Sequence, residues 1–368
     1  MSPLFAAIAL ALASPTSSHP CSLPSDERAW IESAIGKWER VRETQLMLPA
    51  APLPRFVFFD GRCVWEGRSA DDLAGRGHGG TIAIPGGGEA PARPMAFAGR
   101  NGGQGPFLVM ALPPLWRETE RYANHPRLEV LMRSVFVHEM THTRQADSFG
   151  QRLDAIETSG ELQSELDDDI VQRRFEPDET YRASYEKERD ALFAIAQEPN
   201  AARRLAAARS VLHEAEKRRL KFFQGTASVY GELEEIFLAM EGVANWAGFR
   251  AAMLEGLPRE EAIELMRGSR RPWTQEEGLA LFLAVDALMP GWQERAFSDD
   301  PDGAWELLAA ALSSAASVSH RTVAARGERE LRAGALQRRR DPAPGPPTVP
   351  SLTGGGSPPR TRRPGWGG

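Results

Sequence analysis

The residues best suited to chemistry are His138, Glu139 and His142, in Val137-His138-Glu139-Met140-Thr141-His142. On a helix, residues four apart leave the same face one turn above each other, so this spacing aims two imidazoles at one point. Two neutral imidazoles so placed can each bind a zinc ion at about 2.0–2.1 Å. Glu139, beside the first histidine, then leans toward the open side of the metal, where a carboxylate can take a proton from zinc-bound water. His-Glu-x-x-His arises by chance in roughly one such chain in a hundred, and the bland alternative is two solvent-facing histidines on an ordinary helix. The neighbours argue against that alternative. Leu131 and Val135 share the histidine stripe, while Met132, Phe136 and Met140 form a second one. A helix apolar on more than one face is buried, and burying two histidines and a glutamate without partners costs several kcal/mol.

Two histidines do not complete a site, so a third protein ligand must come from elsewhere. Glu241 is the leading candidate, a lone carboxylate in the apolar run Ile236-Phe237-Leu238-Ala239-Met240-Glu241-Gly242-Val243-Ala244. A buried glutamate is rare unless paired or metal-bound. Glu234 and Glu235 are rivals, with Glu232 further off. Asn245, one turn beyond Glu241, is placed to hydrogen-bond the far ring nitrogen of a ligating histidine. Asp168, within Asp167-Asp168-Asp169, is a further candidate for that task; the alternative is a solvated acidic face capped by Arg173 and Arg174. Tyr230 shares the face of Glu241 but lies about 16 Å along the helix, too far to reach a metal.

With both motifs in view, the chain resembles the gluzincin metallopeptidases, the thermolysin-like group. More narrowly it resembles the branch whose third ligand sits in a Glu-Gly-Leu-Ala-type helix; here the residues are Glu241-Gly242-Val243-Ala244. The metzincin pattern fails, because Gln145 and Ser148 stand where it needs Gly and His. The resemblance implies Zn2+ held by His138, His142 and Glu241, Glu139 as general base, and a peptide or protein substrate paired with a sheet edge near the metal. The family often carries an acidic residue four after the ligand glutamate, where this chain has Asn245. The long interval between the motifs implies a helical insertion. The resemblance is specific at the two motifs and covers residues 50 to 290 only in outline.

The elements that position these residues can be read from punctuation and pattern. Ser25-Asp26-Glu27 opens a helix to about Leu46. Arg55–Phe59 and Cys63–Trp65 flank Asp60-Gly61-Arg62 as a hairpin. Thr81–Pro85, Pro94–Phe97 and Phe107–Leu112 read as further strands, and the last is the candidate edge for pairing with an extended peptide, or else an interior strand. Asn101–Gly105 reads as a loop over the cleft. The motif helix runs from about Arg127 to Ala146, with Phe149-Gly150 as its stop. Helices are expected over Leu162–Phe175 and Tyr181–Phe223, the latter broken near Pro199. Others are expected over Ser228–Phe249, from Pro258, over Trp273–Leu288 with Thr274 and Glu277 as a capping box, and over Trp305–Val318.

The 368 residues carry a net charge of −6 and are 42% hydrophobic, an ordinary globular composition that gives no reason to expect nucleic acid. No run is long enough for a transmembrane helix once the N-terminus is set aside. Residues 1–20 read as a signal peptide (1–13) with a short linker, which implies a secreted or periplasmic protein; the alternative is a disordered apolar start. Cys21 and Cys63 would then form one disulfide, or remain two thiols in the cytosol. The expected fold is α+β: a small N-terminal mixed sheet packed on a predominantly helical, zincin-like domain. That domain spans 21–338, sheet-rich over 21–112 and helical over 113–338, ahead of a disordered Pro/Gly/Arg-rich tail over 339–368. Two other readings stand beside a zinc metallopeptidase: a secreted zinc-binding pseudoenzyme or binding module, and a helical structural protein with an accidental motif.

Overall fold

A computed structural model describes residues 21–101, 105–160, 162, 166–268 and 271–315. Helix α1 (Ser25–Thr44) buries Trp30, Ile31, Ala34, Trp38 and Val41, an apolar stripe of helical period. Strands β1 (Arg55–Phe59), β2 (Cys63–Gly67), β3 (Ala74–Gly77), β6 (Ala96–Asn101) and β7 (Gly105–Ala111) form one sheet in the order β3-β2-β1-β7-β6. Strands β4 (Thr81–Ala83) and β5 (Glu89–Pro91) pair separately. The large sheet is mixed: β1 runs parallel to β7, and the other three pairings are antiparallel. The β1–β2 turn forms as expected, with Asp60 Oδ1 accepting from the N–H groups of Arg62 (2.7 Å) and Cys63 (2.6 Å). A Cys21–Cys63 disulfide ties the N-terminal segment to β2.

The sheet decides between two readings that bear on function. Phe107–Leu112 is no edge: β7 is paired on both sides, and Phe107, Leu108, Val109, Met110 and Ala111 are all buried. A continuous apolar run is what a strand covered on both faces requires. The edge is β6, poorer in β-forming residues, whose register runs from Ala96 opposite Met110 to Asn101 opposite Gly105. Asn101 and Gly105, the ends of the expected loop, pair opposite each other across β6 and β7, and residues 102–104 lie outside the described residues. Strands β3 and β5, rich in Gly, Ala and Pro, give no propensity signal; their pairing partners decide them.

One short helix, α2 (Pro113–Arg117), follows the sheet and leads to the motif helix, α3 (Leu128–Gln145). Phe136 of α3 packs on Phe56 and Phe58 of β1 at ring distances of 5.9 and 6.2 Å, so α3 lies against the sheet. Helix α3 ends at Gln145, close to the expected Ala146; Phe149-Gly150 begins a further helix, α4 (Phe149–Ser159), which stops at Gly160, whose φ of 74° suits glycine. Only α5 (Ile170–Phe175) is described as helix in the expected 162–175 span. Helices α6 (Glu179–Gln197) and α7 (Ala201–Phe222) are opened by Asp178 and Asn200, whose side chains accept first-turn N–H groups.

Helix α8 (Ser228–Leu254) is apolar nearly all round and runs through the interior, packed on α3 and on α10 (Trp273–Leu288), with α9 (Arg259–Arg267) between them in the chain. A Cβ at Gly242 would lie 2.7 Å from the Gly278 carbonyl oxygen, and one at Gly248 would lie 3.0 Å from the Ser134 carbonyl oxygen. These glycines let α8 approach α10 on one side and α3 on the other. The expected capping box on α10 does not form. Its N-cap is Pro272 without a side-chain cap, and Thr274 and Glu277 point inward instead, both buried. A four-residue helix, α11 (Gln293–Ala296), and a helical stretch over 304–315 complete the described chain. The architecture is α+β, a small N-terminal sheet followed by a larger helical region. All described residues belong to one unit, which ends at Ala316. Among them no helix is long and apolar enough to cross a membrane. The expected signal segment and the 339–368 tail lie outside the described residues.

Candidate metal centre

Helix α3 supplies His138 and His142 from one face, and α8 brings Glu241 to meet them. The Nε2 atoms of the two histidines are 3.0 Å apart. His138 Nε2 lies 3.4 Å from Glu241 Oε2, and His142 Nε2 lies 3.1 Å from Glu241 Oε1. A tetrahedral site with bonds of about 2.0–2.1 Å has edges of about 3.3 Å, so the three separations fit one ion between these residues. They are the His/Cys/Asp/Glu group among the described residues whose donor atoms lie close enough to share a metal.

The protonation pattern makes the same point independently. His138 Nδ1 meets Asn245 Oδ1 at 3.2 Å, and His142 Nδ1 meets Gln145 Oε1 at 3.0 Å. Each amide is oriented by its other end: Asn245 Nδ2 donates to the Gln275 carbonyl, and Gln145 Nε2 to the Met240 carbonyl. Both Nδ1 atoms must therefore donate, which leaves both Nε2 atoms as bare lone pairs in the neutral rings. Two lone pairs and a carboxylate converge in a buried space, and Glu241 Oε2 has no hydrogen-bond partner. Such a cluster is repulsive unless a cation or a proton enters it. Burial alone would lower the pKa of His142, but the Glu241 carboxylate overrides it and raises the value to about 9. Burial would likewise raise Glu241, yet the charges and hydrogen bonds of His142 and His138 hold it well below the usual range. The site is electrostatically organised around positive charge.

Glu139 is also buried, and burial raises its pKa against the opposing pull of the two histidines. The Ala98 backbone, on the edge strand β6, offsets part of that rise. The group opens into a cavity of about 730 Å³ lined by β6 residues Ala96–Arg100, the ligand residues, Glu139, Asp168, Met240 and Gln275 among others. Arg100 and Asp154 join across it from β6 to α4 as an ion pair.

The expected residues thus divide. His138, Glu139, His142, Glu241 and Asn245 come together. Asp168 lines the same cavity but makes no hydrogen bond to either imidazole; that task belongs to Gln145 and Asn245. Gln145 was legible only as the residue that breaks the metzincin pattern, although its place three after His142 on one helix was a usable signal. The rival ligands are engaged elsewhere. Glu234 pairs with Arg218 and Arg219, Glu235 with Arg219 and the Trp305 N–H, and Glu232 with Arg152. Tyr230 packs edge-on against Phe175. The chain matches no family model, no curated protein and no solved structure.

Proposed function

We propose that this chain is a zinc-dependent peptidase of gluzincin type. The observation that carries the reading is the convergence of three lone-pair-bearing donors, beside a buried glutamate and under a free sheet edge. Two imidazoles and one carboxylate with a fourth direction open suit zinc in a catalytic rather than a structural role. When bound, zinc supplies Lewis acidity, both for a carbonyl oxygen and for ionising a water near neutral pH.

The chain's own residues do the rest. Asn245 and Gln145 hold the two imidazoles in the tautomer that leaves Nε2 free. The outer edge of β6 pairs with an extended peptide, which lays the scissile bond across the cavity. Glu139 takes the proton of the attacking water and delivers it to the leaving nitrogen. The Cys21–Cys63 disulfide goes with an oxidising compartment and so supports export.

The test compares wild type with Glu139→Gln for zinc content and for hydrolysis of a peptide mixture. Both proteins should carry about one zinc per chain, and the variant should lose roughly 10²–10⁴ in rate. Zinc without any hydrolysis in either protein would favour a binding module. Absence of zinc in wild type after reconstitution would remove the reading altogether.

A further inference from the structure

Asp168 has no role in holding the histidines, yet it lines the metal cavity. It does not belong to the group whose donor atoms lie within 4.8 Å of one another, so it is not a fourth ligand. Its neighbours are accounted for differently. Asp167 is gripped by Arg173 at 2.6 and 2.7 Å and accepts the Asp169 N–H, while Asp169, at the N-cap position of α5, keeps one buried oxygen unpartnered and is not among the residues lining the cavity. Among the described residues no cation lies within ion-pair distance of Asp168.

The charges around the cavity isolate it further. The carboxylates lining it are Glu139, Asp154, Asp168 and Glu241, and the arginine lining it is Arg100. Arg100 is matched by Asp154. A divalent ion at the histidines is matched by Glu241 and Glu139. Asp168 is what remains, a partly buried carboxylate without a counter-charge facing a space large enough for a peptide segment. Burial, together with the negative charge of its chain neighbours Asp169 and Asp167, disfavours its bare carboxylate. Leaving such a group unpaired is unfavourable, and a positively charged ligand group would relieve it.

We infer that Asp168 is the specificity residue of this cavity and receives a cationic ammonium or guanidinium group of the substrate. The inference rests on the peptidase reading for the nature of the substrate. The cation has two possible sources, a free peptide amino terminus or a Lys or Arg side chain near the scissile bond, and the experiment separates them.

Binding is measured by fluorescence anisotropy on the zinc-loaded Glu139→Gln chain. The probes are labelled hexapeptides containing one lysine, identical except for acetylation of the amino terminus, the lysine side chain, or both. The fully acetylated peptide should bind about tenfold more weakly than at least one peptide that keeps an amine. Whichever acetylation removes the affinity identifies the source. Adding Asp168→Asn should shrink the gap to below about twofold, and Asp168→Lys should turn it toward the acetylated peptide. Unchanged zinc content and melting temperature in both variants would show that the fold is intact. No gap, or a gap that survives Asp168→Asn, overturns the inference. Cleavage of the same peptides by the wild-type chain is scored separately. Cleavage without a charge preference sinks the Asp168 assignment and leaves the peptidase; a charge-dependent gap without cleavage does the reverse.

Discussion

Helix α8 carries two buried glutamates seven residues apart, Glu234 and Glu241, and their surroundings could hardly differ more. Glu234 is closed. Arg218 and Arg219 each reach it at 2.6 Å, and the Tyr181 hydroxyl donates at 2.9 Å. Arg218 also grips Glu188 at 2.9 Å, so the cluster joins α6, α7 and α8 into one block. Burial would raise the pKa of Glu234, but the two guanidinium groups outweigh it and hold the carboxyl ionised. Glu241 is open. It faces only imidazole nitrogens, one of its oxygens is an orphan, and the space beside it leads to solvent through a cavity. A buried carboxylate whose charge is met by arginine is a fastener; one whose charge is met by lone pairs awaits a cation.

Four experiments press on this contrast. The largest effect belongs to Glu241→Gln, which should drop zinc from about one per chain to below about 0.1, with hydrolysis lost alongside. Circular dichroism should show the helical content of the apo chain retained. Arg218→Met should behave in the opposite way. It strands Glu234 and Glu188 and should destabilise the chain by about 3–5 kcal/mol in urea unfolding, with zinc stoichiometry of the folded fraction intact. If Arg218→Met instead releases zinc while the fold holds, the two glutamates are not independent and the contrast fails. A smaller effect is expected from Asn245→Ala, which removes the acceptor that fixes the His138 tautomer. Zinc affinity should weaken by about 10–100-fold in competition with a chelator, with helicity retained.

The mildest effect concerns Glu277, buried near the Arg218 cluster with one oxygen unpartnered. Burial raises its pKa well above 4.5, against the pull of Arg218. The folded state therefore keeps a proton that the unfolded chain releases. That contribution to stability is fully present below about pH 4.5 and is lost as pH rises through the raised folded value. Urea midpoints taken between pH 5 and pH 8 should fall less steeply in Glu277→Gln than in wild type. Parallel slopes would show that Glu277 is ionised in the folded protein after all.

What could be read from residues alone was whatever depends on nearest neighbours along the chain. The His138/His142 pair needs only the helical repeat to share a face, and the apolar stripes around it already imply burial. The Asp60-Gly61 turn, the first helix and the break at Pro199 follow from local preference in the same way. The α+β class and the helical interval between the two motifs follow from pattern as well. Glu241 was legible as the lone carboxylate of an apolar run, but Glu234 sits two turns away on the same helix and nothing local separates them. The distinction arises from which chain segment arrives opposite each: α7 with its arginines at Glu234, α3 with its imidazoles at Glu241. Long-range pairing likewise decided that β6 and not β7 is the free edge, that Gln145 orients His142, that Thr274 and Glu277 face inward, and that Asp168 is left without a counter-charge. Periodicity is a property of the backbone repeat and survives in the sequence. The partner that meets a side chain across the core depends on every element packing at once, and only the tertiary structure records it.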